Sequence, residues 1–205
     1  MTTLPKTLLQ IAGASLTPSP LDRSALILID HQLEYVTGAI PLSGIEAAIA
    51  EAAKLLDLAR TYHVPVFHVV HHGRPGAAAF DPQGPYTAIM PELLPIENEK
   101  VVIKSLPNAF AGTNLHHLIQ EVGRKELIIA GFATHMCVST TTRAALDLGY
   151  RNTVVANATA SRDLPLVDGK GVIPAEIVRQ TALAELADRF AIIVPDTATL
   201  SGRGV

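Results

Sequence analysis

The segment Ser24-Ala-Leu-Ile-Leu-Ile-Asp30 decides the fold of this chain, because it is a short, unbroken run of apolar residues that ends on a carboxylate. Such a run is typical of a parallel strand that is buried on both faces, whereas a strand with one solvated face alternates apolar and polar residues. We therefore predict a buried strand here, with Asp30 at its carboxyl end.

Comparable runs recur along the chain and alternate with helical patterns. The further predicted strands are 64–70, 101–104, 126–132, 153–156 and 191–194. The predicted helices begin at Ser43, Thr113, Pro174 and near Cys137, and Ser43 and Glu46 have the spacing of a capping box. This alternation predicts an α/β fold: a doubly wound, Rossmann-like, six-stranded parallel sheet in the order 3-2-1-4-5-6, with helices on both faces.

Length and composition narrow the class of protein. The 205 residues fit one domain (1–205), in which we expect residues 1–20 to form an extended N-terminal segment. A net charge of −3 and the lack of Trp argue against nucleic acid as a partner, and no apolar run is long enough to cross a membrane. The single cysteine, Cys137, and an N-terminus unlike a signal peptide predict a cytoplasmic protein.

Sheets of this kind often bind nucleotides, but the motifs for that are missing. The first strand ends in Ile-Asp-His-Gln rather than in a glycine-rich turn, and Gly169-Lys170 lacks the flanking residues of a phosphate-binding loop. We therefore predict no cofactor.

Three reactive residue types follow strands at the edge of the sheet where ligands bind in such folds. Asp30 ends the first strand, Lys104 ends the third, and Cys137 follows the fourth. A helix that begins near Cys137 would favour a thiolate there and offer free N–H groups to an oxyanion. Each residue also has a structural interpretation: a buried core thiol, a turn carboxylate and a lysine that reaches out to solvent.

The sequence resembles the isochorismatase-like hydrolases from about Ser24 to Pro195. The resemblance lies in three blocks, Leu-Ile-Asp30-His-Gln32, Lys104-Ser-Leu-Pro-Asn-Ala-Phe110-Ala-Gly-Thr113 and Gly131-Phe-Ala-Thr134-His-Met-Cys137-Val. It implies that Asp30 is the general base, Lys104 its charge partner and Cys137 the nucleophile. It also implies a cis peptide bond between Phe132 and Ala133, with the N–H groups of Ala133 and Cys137 forming the oxyanion hole.

The same resemblance places a substrate pocket around these residues. The expected substrate-binding residues are Gln32, Tyr35, His71, His72, Arg74, Phe110 and Thr134. Nicotinamidases of this family carry a metal site with an Asp-x-His pattern after the second strand, and this chain has His68-Val-Val-His71-His72 instead. We predict no metal, and we expect His71, His72 or Arg74 to contact a polar or anionic group of a small-molecule substrate.

A retained cysteine nucleophile predicts hydrolysis of a C–N bond, in an amide or a lactam, through a thioester. The second block and the segment that follows the second strand also resemble those of streptothricin hydrolase-like proteins. Two alternatives stay open: a vinyl ether hydrolase that uses Asp30 as an acid, and a redox-sensing protein without catalytic activity. The resemblance further implies a homodimer or homotetramer.

Overall fold

A computed structural model of the chain describes residues 4–201. One parallel sheet contains six strands, numbered here in chain order: β1 Ser24–Ile29, β2 Val66–His71, β3 Lys100–Lys104, β4 Glu126–Phe132, β5 Arg151–Ala160 and β6 Ile192–Val194. Their order is β3-β2-β1-β4-β5-β6, so the predicted topology is confirmed. The order reverses between β1 and β4, which places the ends of these two strands side by side.

Helices connect the strands. They are α1 Leu8–Ile11, α2 Ile45–Thr61, α3 Leu115–Glu121, α4 Ser139–Asp147, α5 Ala175–Arg189 and α6 Ala198–Ser201. Single 3-10 turns occur at Leu21–Arg23, Leu33–Tyr35, Pro85–Thr87 and Pro91–Leu93, and a π turn at Thr134–Val138 precedes α4. A small antiparallel ribbon, Leu164–Pro165 with Val172–Ile173, lies outside the main sheet.

Two apolar cores lie on opposite faces of the sheet. On β1, Leu26 and Leu28 belong to the core that includes α2, whereas Ala25, Ile27 and Ile29 belong to the core that includes α3 and α5. Every residue of β1 is therefore buried, which is the physical reason for its unalternating sequence. No helix among residues 4–201 is both long and apolar enough to cross a membrane.

Two local predictions differ from the structure. The expected extended chain of residues 1–20 is interrupted by α1, because Thr7 and Gln10 form a capping box; residues 1–3 lie outside the described range. The capping box predicted for Ser43 and Glu46 is not formed. Helix α2 begins instead after Gly44, which has a φ of 68° and contributes no side chain to the cap.

Candidate active site

The ammonium group of Lys104 is the centre of the site. Its Nζ atom lies 2.7 Å from Oδ2 of Asp30, 3.3 Å from Sγ of Cys137 and 3.0 Å from Nδ1 of His71. Asp30, Lys104 and Cys137 are 0%, 1% and 5% exposed. The structure thus brings together the three reactive residues that the sequence placed at one edge of the sheet.

These contacts give each proton of a Lys104 ammonium an acceptor. A lysine is costly to bury unless its charge is paired and its donors are used, and this arrangement meets both conditions. His71 accepts at Nδ1, so its neutral ring carries the proton on Nε2. Burial is the main cause that lowers the pKa of His71 to about 4, and the Lys104 charge acts in the same direction. The His71 ring therefore stays neutral near pH 7. His71 therefore holds Lys104 in place through Nδ1.

Backbone geometry at the ends of β1 and β4 is unusual. Asp30 has a φ of 55°, in the left-handed region that non-glycine residues seldom adopt outside functional sites. Gly131 has a φ of 139°, and a Cβ added there would lie 2.1 Å from the carbonyl oxygen of Ile29. The Phe132–Ala133 peptide bond is cis, and the π turn that follows carries Cys137. Close approach of β1 and β4 at Gly131 is what sets Asp30 beside this turn.

Burial determines the protonation of the reacting groups. It raises the pKa of Asp30 despite the opposing charge of Lys104. Burial and the Asp30 charge raise the pKa of Cys137 to about 12, while Lys104 acts in the opposite direction. Burial outweighs the effect of the adjoining helix, which the sequence predicted to favour a thiolate, so Cys137 rests as a thiol beside Asp30.

Two residues expected to bind substrate have structural roles instead. Gln32 is fully buried; its amide donates to the carbonyls of His71 and Thr87 and accepts from the backbone N–H of His71. Thr134 is also fully buried and donates to the carbonyl of Ala160. Because both side chains are buried and used in these bonds, they shape the rim of the site.

Phe110, which is expected to line the substrate pocket, packs in an aromatic cluster. Its ring stacks on Tyr150 at 5.9 Å between centroids and meets His116 edge to face at 6.5 Å. The Tyr150 hydroxyl lies 2.8 Å from Nδ1 of His116 and completes this cluster. Aromatic attraction holds Phe110 in this cluster.

Tyr35 joins the site through aromatic contacts. Its ring meets Phe132 and Phe80 edge to face, and Phe80 in turn meets His71 at 4.8 Å. His72 is half-buried and donates its backbone N–H to the carbonyl of Lys104, whereas Arg74 is exposed. Among residues 4–201, the Arg74 guanidinium has no hydrogen-bond or ion-pair partner.

Sequence reasoning missed Glu34 and Phe80. Buried Glu34 accepts the backbone N–H groups of Ala39 and Phe80, and this second bond holds Phe80 at a φ of 55° over His71 and Tyr35. The signals were Phe80, one of two aromatic residues in a Gly- and Pro-rich loop, and a carboxylate next to Leu33. Within the described part of the chain, no group of three or more His, Cys, Asp or Glu residues is arranged to hold a metal ion.

Comparisons with known proteins agree with this architecture. Residues 24–197 match the family described as the isochorismatase domain. A solved isochorismatase from Pseudomonas putida KT2440 is 45% identical, covers 97% of this chain and 99% of its own, and superimposes with a TM-score of 0.89. The family resemblance predicted from the three sequence blocks is confirmed.

Three curated relatives extend the comparison. The chain is 39% identical to the secreted isochorismatase effector Isc1 of Verticillium dahliae, over 83% of this chain and 87% of that protein. It is 34% identical to a streptothricin hydrolase of Streptomyces noursei, over 82% of this chain and 61% of the relative. It is 28% identical to the maleamate amidohydrolase of Pseudomonas putida, over 68% and 73%. The relatives thus include amidohydrolases.

Proposed function

This chain belongs to the isochorismatase family of hydrolases, and from that premise we propose that it hydrolyses a C–N bond, in an amide or a lactam, through a thioester on Cys137. The observation that carries the proposal is the position of Lys104 Nζ between Asp30 Oδ2 and Cys137 Sγ, in a site from which water is largely excluded. A base, a nucleophile and a fixed positive charge are the parts that acyl transfer requires.

The first half of the reaction acylates Cys137. Asp30 takes the thiol proton, and the Lys104 ammonium stabilises the thiolate at 3.3 Å. The sulfur attacks the substrate carbonyl carbon, and the backbone N–H groups of Ala133 and Cys137 bind the oxyanion. When the C–N bond breaks, protonated Asp30 gives its proton to the leaving nitrogen, which leaves an acyl thioester and a carboxylate.

The second half releases the acid. Asp30 takes a proton from a water molecule as that water attacks the thioester carbonyl. The C–S bond then breaks, the Cys137 thiolate leaves toward Lys104, and Asp30 returns the proton to the sulfur. The raised pKa of Asp30 suits both steps, because a base that must also act as an acid needs a pKa closer to neutrality than an ordinary aspartate has.

The exposed guanidinium of Arg74 and the neighbouring His72 are the proposed contacts for a polar or anionic substrate group. We expect Arg74→Ala to raise KM several-fold and to change kcat little, because the contact would be the same in the ground and transition states. Steady-state kinetics on the identified amide test this contact, and Arg143→Ala, which removes a surface partner of Glu185, is the matched control. An unchanged KM would remove Arg74 from the substrate site.

Trapping of the acyl-enzyme tests the proposed reaction. We would incubate the protein with a pool of small amides, quench with acid and measure the mass of the peptide that contains Cys137. We expect an added acyl mass in the wild type and none in Cys137→Ala, which should fold normally and lose turnover. Substantial amide turnover by Cys137→Ala would contradict the thioester mechanism. Full activity of Cys137→Ser on isochorismate would instead assign vinyl ether chemistry.

Peroxide-reversible loss of ligand binding, with no turnover of any amide, would favour the redox-sensing alternative. We also propose a cytoplasmic homodimer or homotetramer, although the relative Isc1 is by its name secreted. Cell fractionation and light scattering of the purified protein test these two points.

A further inference from the structure

The imidazole of His71 is held by contacts from three other segments of the chain. The Gln32 amide accepts a hydrogen bond from the backbone N–H of His71 and donates one to its carbonyl. The ring meets Phe80 edge to face at 4.8 Å between centroids. Its Nδ1 atom lies 3.0 Å from Nζ of Lys104. These contacts fix both the position and the direction of the ring.

Lys104 also fixes the tautomer of His71. An ammonium group has three donors and no acceptor, so Nδ1 of His71 has to accept and the ring proton lies on Nε2. The lowered pKa of His71 keeps the ring uncharged near pH 7. The Nε2 atom can therefore donate a hydrogen bond but cannot accept one.

The Nε2–H group of His71 is open to solvent. Among residues 4–201 it has no hydrogen-bond partner, and it is not one of the buried polar atoms that lack a partner. His71 is half-buried, whereas Lys104 and Cys137 are almost fully buried. An unused donor thus lies across one imidazole ring from the ammonium group that contacts the sulfur.

We propose that His71 Nε2–H binds an acceptor oxygen on the acyl part of the substrate, other than the oxygen of the scissile carbonyl. This inference rests on the proposed function and narrows the substrate to a small amide or lactam that carries a second acceptor oxygen near the scissile carbon. The His71 Nδ1 and Cys137 Sγ atoms lie 3.0 Å and 3.3 Å from the same Lys104 nitrogen, so one small molecule can contact both the ring and the sulfur.

The fixed tautomer is the source of selectivity. A site that donates a hydrogen bond to its substrate discriminates against an analogue that lacks the acceptor, because binding the analogue leaves the donor unpaired. A histidine that could exchange its tautomer would accept from a donor on the substrate equally well. Lys104 removes that freedom from His71, so only an acceptor fits.

The variant His71→Asn separates the two bonds of the ring. The Asn Oδ1 atom can replace Nδ1 as an acceptor for Lys104, but the variant has no donor at the position of Nε2. The probes are two pairs of uncharged primary amides: acetoacetamide with isovaleramide, and succinamide with isocaproamide. The members of each pair have the same shape, and only the first carries a second acceptor oxygen.

In at least one pair, we expect the wild-type kcat/KM for the acceptor-bearing amide to exceed that of its partner by about tenfold or more. The ratio should fall to about one in His71→Asn, since the unpaired donor causes the discrimination. A ratio within one pair is insensitive to a general loss of activity. His117→Asn, which changes an exposed histidine paired with Glu121 on α3, is the matched control and should keep the wild-type ratio.

A second measurement does not depend on turnover. Calorimetry gives the Kd of the same amides for Cys137→Ala, in which the sulfur is absent. We expect the preference of about tenfold or more in this variant and its loss in Cys137→Ala/His71→Asn. Equal kcat/KM and equal binding within both pairs would overturn the role of His71. A preference that persists in His71→Asn would also overturn it, because His71 would then only position Lys104.

The outcomes for His71 and for the proposed function are separable. If acyl-Cys137 forms and neither pair shows a preference, His71 does not select the substrate and the thioester mechanism stands. If Cys137→Ala keeps amide turnover, the mechanism fails, and the binding ratios still decide the role of His71.

Discussion

At the scale of single residues, chemistry in this site follows from burial more than from proximity to a helix. Burial acts on Asp30 and Cys137 in the same direction, since it penalises the charged form of both acids. Lys104 offsets this penalty and gives the pair one shared positive charge. The resting thiol lies beside Asp30, and the nucleophile forms only when the proton moves.

The first prediction at this scale concerns pH. Asp30 acts as a base only when it is ionised, and its pKa lies above the ordinary value of 3.8. We expect kcat/KM to fall as the pH drops through this raised pKa. The Cys137 thiol passes its proton to Asp30 and not to solvent, so kcat/KM should not rise tenfold per pH unit between about pH 7 and 9, although the pKa of Cys137 is about 12. A pH–rate profile with the identified amide measures both limbs, and a rise of that size would mean that the thiol must lose its proton to solvent before it reacts.

At the scale of secondary structure, the ends of the strands hold the site together, and Gly131 shows how. It pairs with Ile29 across β1 and β4, at a register shift between β4 and β5. Any side chain here would meet the Ile29 carbonyl, so the glycine allows the two strands to approach where Asp30 and the Cys137 turn begin.

Gly131→Ala should therefore be strongly destabilising. The added Cβ would lie 2.1 Å from a carbonyl oxygen at a φ of 139°, so the strands must separate. We expect a loss of about 3 kcal/mol or more in the free energy of unfolding. Urea unfolding followed by circular dichroism measures it. Gly169→Ala, at an open turn position with a φ of 70°, controls for backbone strain without the clash, and equal losses in both variants would contradict the close-approach argument.

The buried side chain of Glu99, next to β3, links α2, β2 and the loop before β3. Its carboxylate accepts hydrogen bonds from the Arg60 guanidinium on α2 and from the backbone N–H of Ile96, and it lies 2.8 Å from Nε2 of His68 on β2. Burial alone would raise the pKa of Glu99, but these hydrogen bonds outweigh it and lower the pKa to about 2. Glu99 thus stabilises the fold in its ionised form.

Glu99→Gln should lower the free energy of unfolding by about 2–4 kcal/mol at pH 7, because it breaks a buried ionic network. A lowered pKa contributes stability above the ordinary value of 4.5, and this contribution is lost as the pH falls toward about 2. The difference between wild type and variant should shrink over that interval. Denaturant unfolding at several pH values measures it, and a difference that does not vary with pH would mean that the charge is not involved.

At the scale of the whole molecule, the fold encloses its reactive groups. Phe80 packs over His71 and Tyr35, and Glu34 and Gly73 fix its backbone. Asp30, Lys104 and Cys137 are almost fully buried, and Phe80 packs on His71, the partner of Lys104. We therefore expect the loop that carries Phe80 to move when a substrate reaches the sulfur.

Phe80→Ala should open this path. We expect iodoacetamide to alkylate Cys137 roughly tenfold faster, which corresponds to an activation free energy lower by about 1.4 kcal/mol. Mass spectrometry of the Cys137 peptide over time measures the rate. Tyr62→Ala, which removes an exposed ring at the end of α2, is the control, and an unchanged rate in Phe80→Ala would show that substrate enters elsewhere.

The sequence by itself determined the sheet, its strand order and the meeting of Asp30, Lys104 and Cys137. Unbroken apolar runs make buried parallel strands, and parallel strands end on one edge, so local sequence fixes which residues share it. Only the tertiary structure decided how those residues behave. Burial and contacts between distant segments determine four features of the site. These are the resting thiol, the bond from Lys104 to His71, the structural roles of Gln32 and Thr134, and the packing of Phe80. Such contacts leave no periodic pattern in a sequence, because desolvation is a property of the assembled site.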